Sequence, residues 1–175
     1  MIVSAKALEL AGFLLAHALW VSSELKEGEL YVPQALCEST ASERQLFVFE
    51  APTQQEAIDK GKQFLQAEGG RFARCIFARD GQADPGSGYV DLLTLDIVEG
   101  DLPPKLTVIQ PYKPAASGHF QLLGKELLLD DTGQLGVEKA KAMAATIHNG
   151  AASHPGASRE WHSWNAERSE RNPLQ

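Results

Sequence analysis

Only imidazole among the common side chains changes charge between pH 5 and 8 without help from its surroundings, so the five histidines of this chain are where acid–base or metal chemistry would first be sought. His148, His154 and His162 are separated by five and seven residues. That spacing matches no common zinc pattern, and no cysteine stands near enough to complete a tetrahedral set. They read as solvent-facing residues at a helix end and in a tail, with no metal expected. Glu9 and His17 lie eight positions apart, close to one side of a single helix, with Phe13 between them and Trp20 beyond. Eight helical residues span about 12 Å, too far for a direct hydrogen bond. Such a polar and aromatic stripe either lines a pocket or marks the ordinary boundary between core and solvent.

A second group sits in residues 110–120, QPYKPAASGHF, where two prolines stiffen a segment carrying Tyr112, Lys113 and His119. Held at the mouth of a sheet, these side chains would face a ligand; a proline-marked crossover between strands is the plainer account. Glu9, His17, Trp20, Tyr112 and His119 are therefore the candidate ligand-binding residues. Other apparent motifs fail on chemistry. Asp80, Gln82, Asp84 and Asp91 occupy positions 1, 3, 5 and 12 of a calcium loop, but Pro85 stands where the sharp turn requires glycine. Asp131-Thr132-Gly133 matches the tripeptide of aspartic proteases, whose mechanism needs a second carboxylate that one copy does not supply. G-x-S-x-G, G-x-x-x-x-G-K-[ST], H-E-x-x-H and a strand-borne G-x-G-x-x-G do not occur. No cofactor is expected.

The elements that would position these residues follow from periodicity. Leu8, Ala11, Leu14, Leu15, Ala18, Leu19 and Val21 form one broad apolar arc on a helix capped by Ser4, with its end between positions 16 and 23. Residues 30–38 and 44–50 read as strands, the first carrying Pro33 and so placed at an edge or a bulge. Thr53-Gln54-Gln55-Glu56 is a capping box that opens a helix over 53–68, packed on the sheet through Ile58, Phe64 and Leu65 and stopped by Gly69-Gly70. Residues 72–79, 89–99, 106–112 and 120–129 return to a period of two, with Asp80-Gly81 read as a turn. A helix over 135–148 ends at Asn149-Gly150. The order α-β-β-α-β-β-β-β-α, joined by short connections, predicts a single α+β domain over 1–150: a mainly antiparallel sheet of five or six strands with helices packed on it.

Composition bounds the rest. A chain of 175 residues that is 43% hydrophobic with a net charge of −7 is one soluble globular domain whose acidic balance disfavours a nucleic-acid groove. Residues 10–23 carry no Lys, Arg, Asp or Glu, but the run is too short to span a bilayer and is followed by no small-residue cleavage site. No membrane association is expected, and the protein reads as cytoplasmic. In that compartment Cys37 and Cys75, both in apolar strand-like runs, are expected as free thiols.

The polar tail, 151–175, has no Val, Ile, Phe or Met, yet carries Trp161 and Trp164 at i, i+3 spacing, with Ser158 as a cap. Burying both rings contributes on the order of 10 kcal/mol at most, whereas ordering some 15 residues costs at least about 15 kcal/mol. The expectation is a short helix over 158–168 whose face, Trp161, Trp164 and Arg168, docks on a neighbouring subunit or beside the first helix. These features describe a small binding or adaptor module without catalytic activity, a homodimer with room for a protein partner. The alternative is a small enzyme using His17 or His119 as acid or base.

Overall fold

The structure is a computed structural model that describes residues 2–175. Its centre is an antiparallel sheet built from β1 (Gln34–Glu38), β2 (Arg44–Val48), β3 (Arg74–Ala83), β4 (Val90–Glu99), β5 (Leu106–Lys113), β6 (Gln121–Leu122), β7 (Leu127–Asp130) and β8 (Gly133–Gln134). The strands lie in the order β2-β1-β3-β4-β5-β7-β8, with β6 pairing to β5. The sheet has eight strands rather than five or six, because residues 120–129 divide into two short strands at Gly124 and β8 adds a two-residue ladder. Asp80-Gly81 is not a turn. β3 runs through it to Ala83, and the reversal comes at Asp84, whose carboxylate accepts the amides of Gly86 and Gly88.

Alternation along β3 assigns the two faces. Ile76 and Ala78 point to one side, toward α1 (Ala5–Ser23), α3 (Val137–Ala152) and α4 (Ser158–Glu167). Cys75 and Phe77 point to the other, toward α2 (Gln54–Glu68). On the first side α1 starts where Ser4 Oγ accepts the Ala7 amide, while the Glu99 carboxylate accepts both the Ser4 hydroxyl and its amide. By length and composition α1 resembles a membrane span. In the fold it is the central core helix, with Leu10, Leu15 and Leu19 fully buried.

α1 and α3 meet through glycine. A methyl on Gly12 would lie on the carbonyl oxygen of Ile147, and one on Gly150 would lie on that of Glu9. Gly150 thus serves close packing within the last turn rather than ending α3, which continues to Ala152. Large side chains at either site would force the two backbones apart.

On the opposite face α2 begins as its sequence suggests, Thr53 Oγ1 accepting the Glu56 amide, and buries Leu65 against the sheet. Half-buried Phe64 packs its ring at a tilt against Phe47 and Phe49. Gly69 does not stop the helix by a left-handed turn: its φ is −58°, and a single 3-10 turn follows. Beneath α2 the expectation of free thiols is overturned, since Cys37 and Cys75 are joined in a disulfide. The two stand directly opposite in the β1–β3 register, on the same face, with Cα atoms 4.1 Å apart. Their apolar setting had pointed to inert thiols; the register brings them together.

The C-terminal segment is part of the main core. Trp161 and Trp164 are 1% and 9% exposed and belong to the same apolar cluster as α1. Backbone and polar bonds add to them: the Ser169 amide donates to the Leu122 carbonyl, and buried Asn172 donates to the Lys125 carbonyl. The entropy estimate from two tryptophans alone omitted these anchors. Ser158 is not the cap of α4 but its first residue; Ala157 stands at the cap position, with no side-chain cap bond.

Candidate functional site

The residues singled out in the sequence do not converge. Glu9 is exposed on α1. His17 and Trp20 face His154 at the α3–α4 junction. Tyr112 is buried against Asp80, and His119 is an exposed residue beside Glu167. Trp161, Trp164 and Arg168 are not surface-presenting either: Trp161 packs against the His148 ring, Trp164 against Phe120, and Arg168 turns inward.

At the α3–α4 junction the hydrogen-bond pattern fixes the tautomers of a histidine pair. The amides of Gly156 and Ala157 both donate to His154 Nδ1, at 3.0 and 2.8 Å, so the proton sits on Nε2. That N–H donates to His17 Nδ1 at 3.2 Å, leaving the His17 proton on its own Nε2. Burial lowers the pKa of both rings, and for His154 the nearby His17 lowers it further. The pair is neutral, and the His154 imidazole fixes the turn that leads into α4.

A second constellation lies where the last turn of α1 meets β3 and β5. Asp80, 8% exposed, accepts the Tyr112 hydroxyl at 3.0 Å and the Gly81 amide at 3.0 Å. Burial pushes its carboxyl up to about 6 against those two hydrogen bonds and the Tyr31 backbone amide, and Asp91 adds to the rise. Burial also raises Tyr112, with Asp80 reinforcing it, so the phenol stays a donor. An open cleft of about 420 Å³ reaches Asp80, Asp91, Tyr112 and Ser22.

The third is a cleft of about 430 Å³ between β7 and α3, with Leu127, Leu135, Val137, Ala140 and Ala144 along its walls. Its volume is within the usual range for a small-molecule site, and its apolar walls are the usual lining. Val137, 80% exposed at the start of α3, stands at its rim, together with the exposed ammonium groups of Lys125 and Lys141. His148 lines the same cleft, and its Nε2 lies 2.6 Å from Glu126 Oε1. The Glu126 side chain is 1% exposed, and its second oxygen is 3.3 Å from Arg168 NH1. Burial opposes its charge, but the His148 hydrogen bond and the charges of His148 and Arg168 outweigh that and hold the carboxyl below the usual carboxylate range. Arg168 also donates to Gln110 Oε1 and the Gly124 carbonyl, both at 2.6 Å, with its guanidinium over Trp161.

Electrostatics explain this order. A buried carboxylate without a counter-ion would be strongly unfavourable; Arg168 balances it from behind, and His148 is held in front. With Nε2 committed to Glu126, Nδ1 is the ring atom left to meet a ligand. Sequence reasoning missed Glu126 and placed His148 in solvent. The available signal was a carboxylate set immediately before three leucines, Glu126-Leu127-Leu128-Leu129, within a strand-like run. The chain matches no protein-family model, no curated protein and no solved structure, so what it does must be read from this geometry.

Proposed function

We propose that the protein is a small-molecule binding domain and that the β7–α3 cleft takes an amphipathic anion, an apolar body carrying a carboxylate or similar headgroup. The observation that carries this is the cleft itself: apolar walls of Leu127, Leu135, Val137 and Ala144, two lysines, and a few polar side chains, Gln134, Gln175 and His148, the last held in place by buried Glu126. The apolar body would displace poorly bound water from the walls, and Lys125 and Lys141 would meet the headgroup. Arg168 already donates to Gln110, Gly124 and Asn165 and is ion-paired with Glu126, so its charge supports the site and does not contact the ligand.

Titration with 8-anilinonaphthalene-1-sulfonate and with medium-chain alkyl carboxylates tests this. Saturable binding of the dye to the folded protein, displaced by the alkyl carboxylate, is expected. Ala144→Trp, which fills the cleft from α3, should abolish it, and Lys125→Glu with Lys141→Glu should weaken it by about tenfold or more. Binding that survives Ala144→Trp in a protein with unchanged circular dichroism would refute the assignment.

A further inference from the structure

β2 forms an outer edge of the sheet, and its free side is unusually suited to strand addition. The Ser39 amide donates to the Glu43 carbonyl, and the Phe49 amide to the Pro33 carbonyl. In the same register the odd-numbered residues of β2 turn their backbone groups toward β1, so Arg44, Leu46, Val48 and the following Glu50 turn theirs outward. Leu46 and Val48 are 41% and 50% exposed, and Leu30 and Val32 beside them are 55% and 39% exposed. Monomeric proteins usually blunt such an edge with lysine or proline; β2, Arg-Gln-Leu-Phe-Val, has neither. The opposite edge, β8, is only two residues long.

We propose that a second copy of this chain adds antiparallel to β2 about a two-fold axis through Phe47. The strand is self-complementary in that register alone. Arg44 falls opposite Glu50 of the second copy and Leu46 opposite its Val48, with the same pairs repeated by symmetry, and these are the residues whose backbone groups point outward. A shift of the axis by one or two residues toward the N-terminus sets Arg44 against Val48 or Leu46. A shift toward the C-terminus sets Glu50 against Leu46 or Val48, burying an unpaired charge. Arg44 is placed for this role: it already bonds Glu38 at 3.0 Å, and 38% of its side chain remains exposed. Lys60 Nζ occupies the Glu50 carbonyl at 2.7 Å, which ends the seam there. The seam makes one continuous sheet from two copies, an isologous form of strand augmentation. On the α1 side it joins Leu36 and Leu46 of one copy to Val48 of the other; on the α2 side it brings the two Phe47 rings together.

Sedimentation velocity on the full chain is the test. The wild type is expected to dimerise. Val48→Pro removes only an outward-facing N–H, so it should give a monomer with unchanged circular dichroism. Arg44→Glu and Glu50→Arg should each weaken the dimer by about tenfold or more, and the double variant, which restores opposite charges across the axis, should recover to within about threefold of wild type. The Glu38 contact of Arg44 is not repaired by Glu50→Arg, so recovery reports the seam and not the monomer's own ion pair. If Val48→Pro fails to fold, the charge exchange decides. A monomeric wild type, a dimer unaffected by both kinds of variant, or a double variant no better than its parents would each overturn the proposal.

Discussion

Replacing Asp80 with asparagine should stabilise the protein, and the gain should depend on pH in a direction opposite to that of most carboxylates. Asp80 is held up at about 6 in the fold, against an ordinary value of 3.8, with burial as the main cause. Below pH 4 the carboxyl is protonated in both folded and unfolded chains and makes no difference. Between pH 4 and 6 the unfolded chain releases the proton and the fold retains it, so stability falls as pH rises. Above 6 both are ionised, and the full gap between the two values, about 3 kcal/mol, weighs against the fold. Asparagine keeps an oxygen for the Tyr112 hydroxyl and the Gly81 amide, both of which now bond Asp80 Oδ1, but carries no charge to bury. Urea denaturation of Asp80→Asn and wild type should therefore give nearly equal stability at pH 4 and a gain of about 2–3 kcal/mol for the variant at pH 8. A difference that is the same at both values, or a loss that grows with pH, would refute the reasoning. A wild type that bears such a cost at the mouth of a cleft has a carboxyl poised to exchange protons near pH 6.

Two further predictions follow from the helical side. Gly12→Ala and Gly150→Ala each gain about 1 kcal/mol in helix propensity, but the new methyl meets a backbone carbonyl of the facing helix. Overpacking against a group that cannot rotate away should prevail, with a net loss of about 2 kcal/mol visible as a lower Tm; a rise in Tm would show that α1 and α3 separate without cost. For His17 and His154 the sign is the reverse of Asp80, because burial lowers both below 6.5. Their contribution is complete above pH 6.5 and is lost as the pH falls below it. Hydrogen exchange should show reduced protection at the Gly156 and Ala157 amides, which bond His154 Nδ1, at pH 5.5 relative to pH 7.5, with α1 unchanged; equal protection at both would refute the role of His154 in holding this turn.

Local signals carried most of the fold. Ser4 and Thr53 cap the helices they precede, and the long apolar strands appear at β3, β4 and β5 within a few residues of their expected ends. Some failures were local, as at Gly69 and Ser158, but for the disulfide, the helix contact and the clefts the missing quantity was a long-range one. Gly81 and Gly150 resemble punctuation in one dimension, yet one lies inside a ladder and the other under a neighbouring helix. The bond between Cys37 and Cys75 depends on a register that spans 38 residues. The same holds for the clefts: Glu126 and Arg168 are 42 positions apart and Asp80 and Tyr112 are 32 apart, and neither pair leaves a periodic trace. Burial turned His148 from an apparent surface residue into the best-held polar group of the cleft.

The glycine contact between α1 and α3 also sets the order in which the chain can fold during synthesis. α1 ends at Ser23, and the α3 residues that cover Gly12 begin at Ile147. About 120 residues must be translated in between, which at 5–20 residues per second takes about 6–25 s. Throughout that interval the most apolar helix of the protein is free of the ribosome and without its partner. β3 and β4 can shelter part of it earlier, since they complete α1's other flank, but the glycine face waits for the last fifth of the chain. A nascent chain with such a helix left uncovered should depend, for its yield in cells, on chaperones that hold apolar helices more than its final stability would suggest.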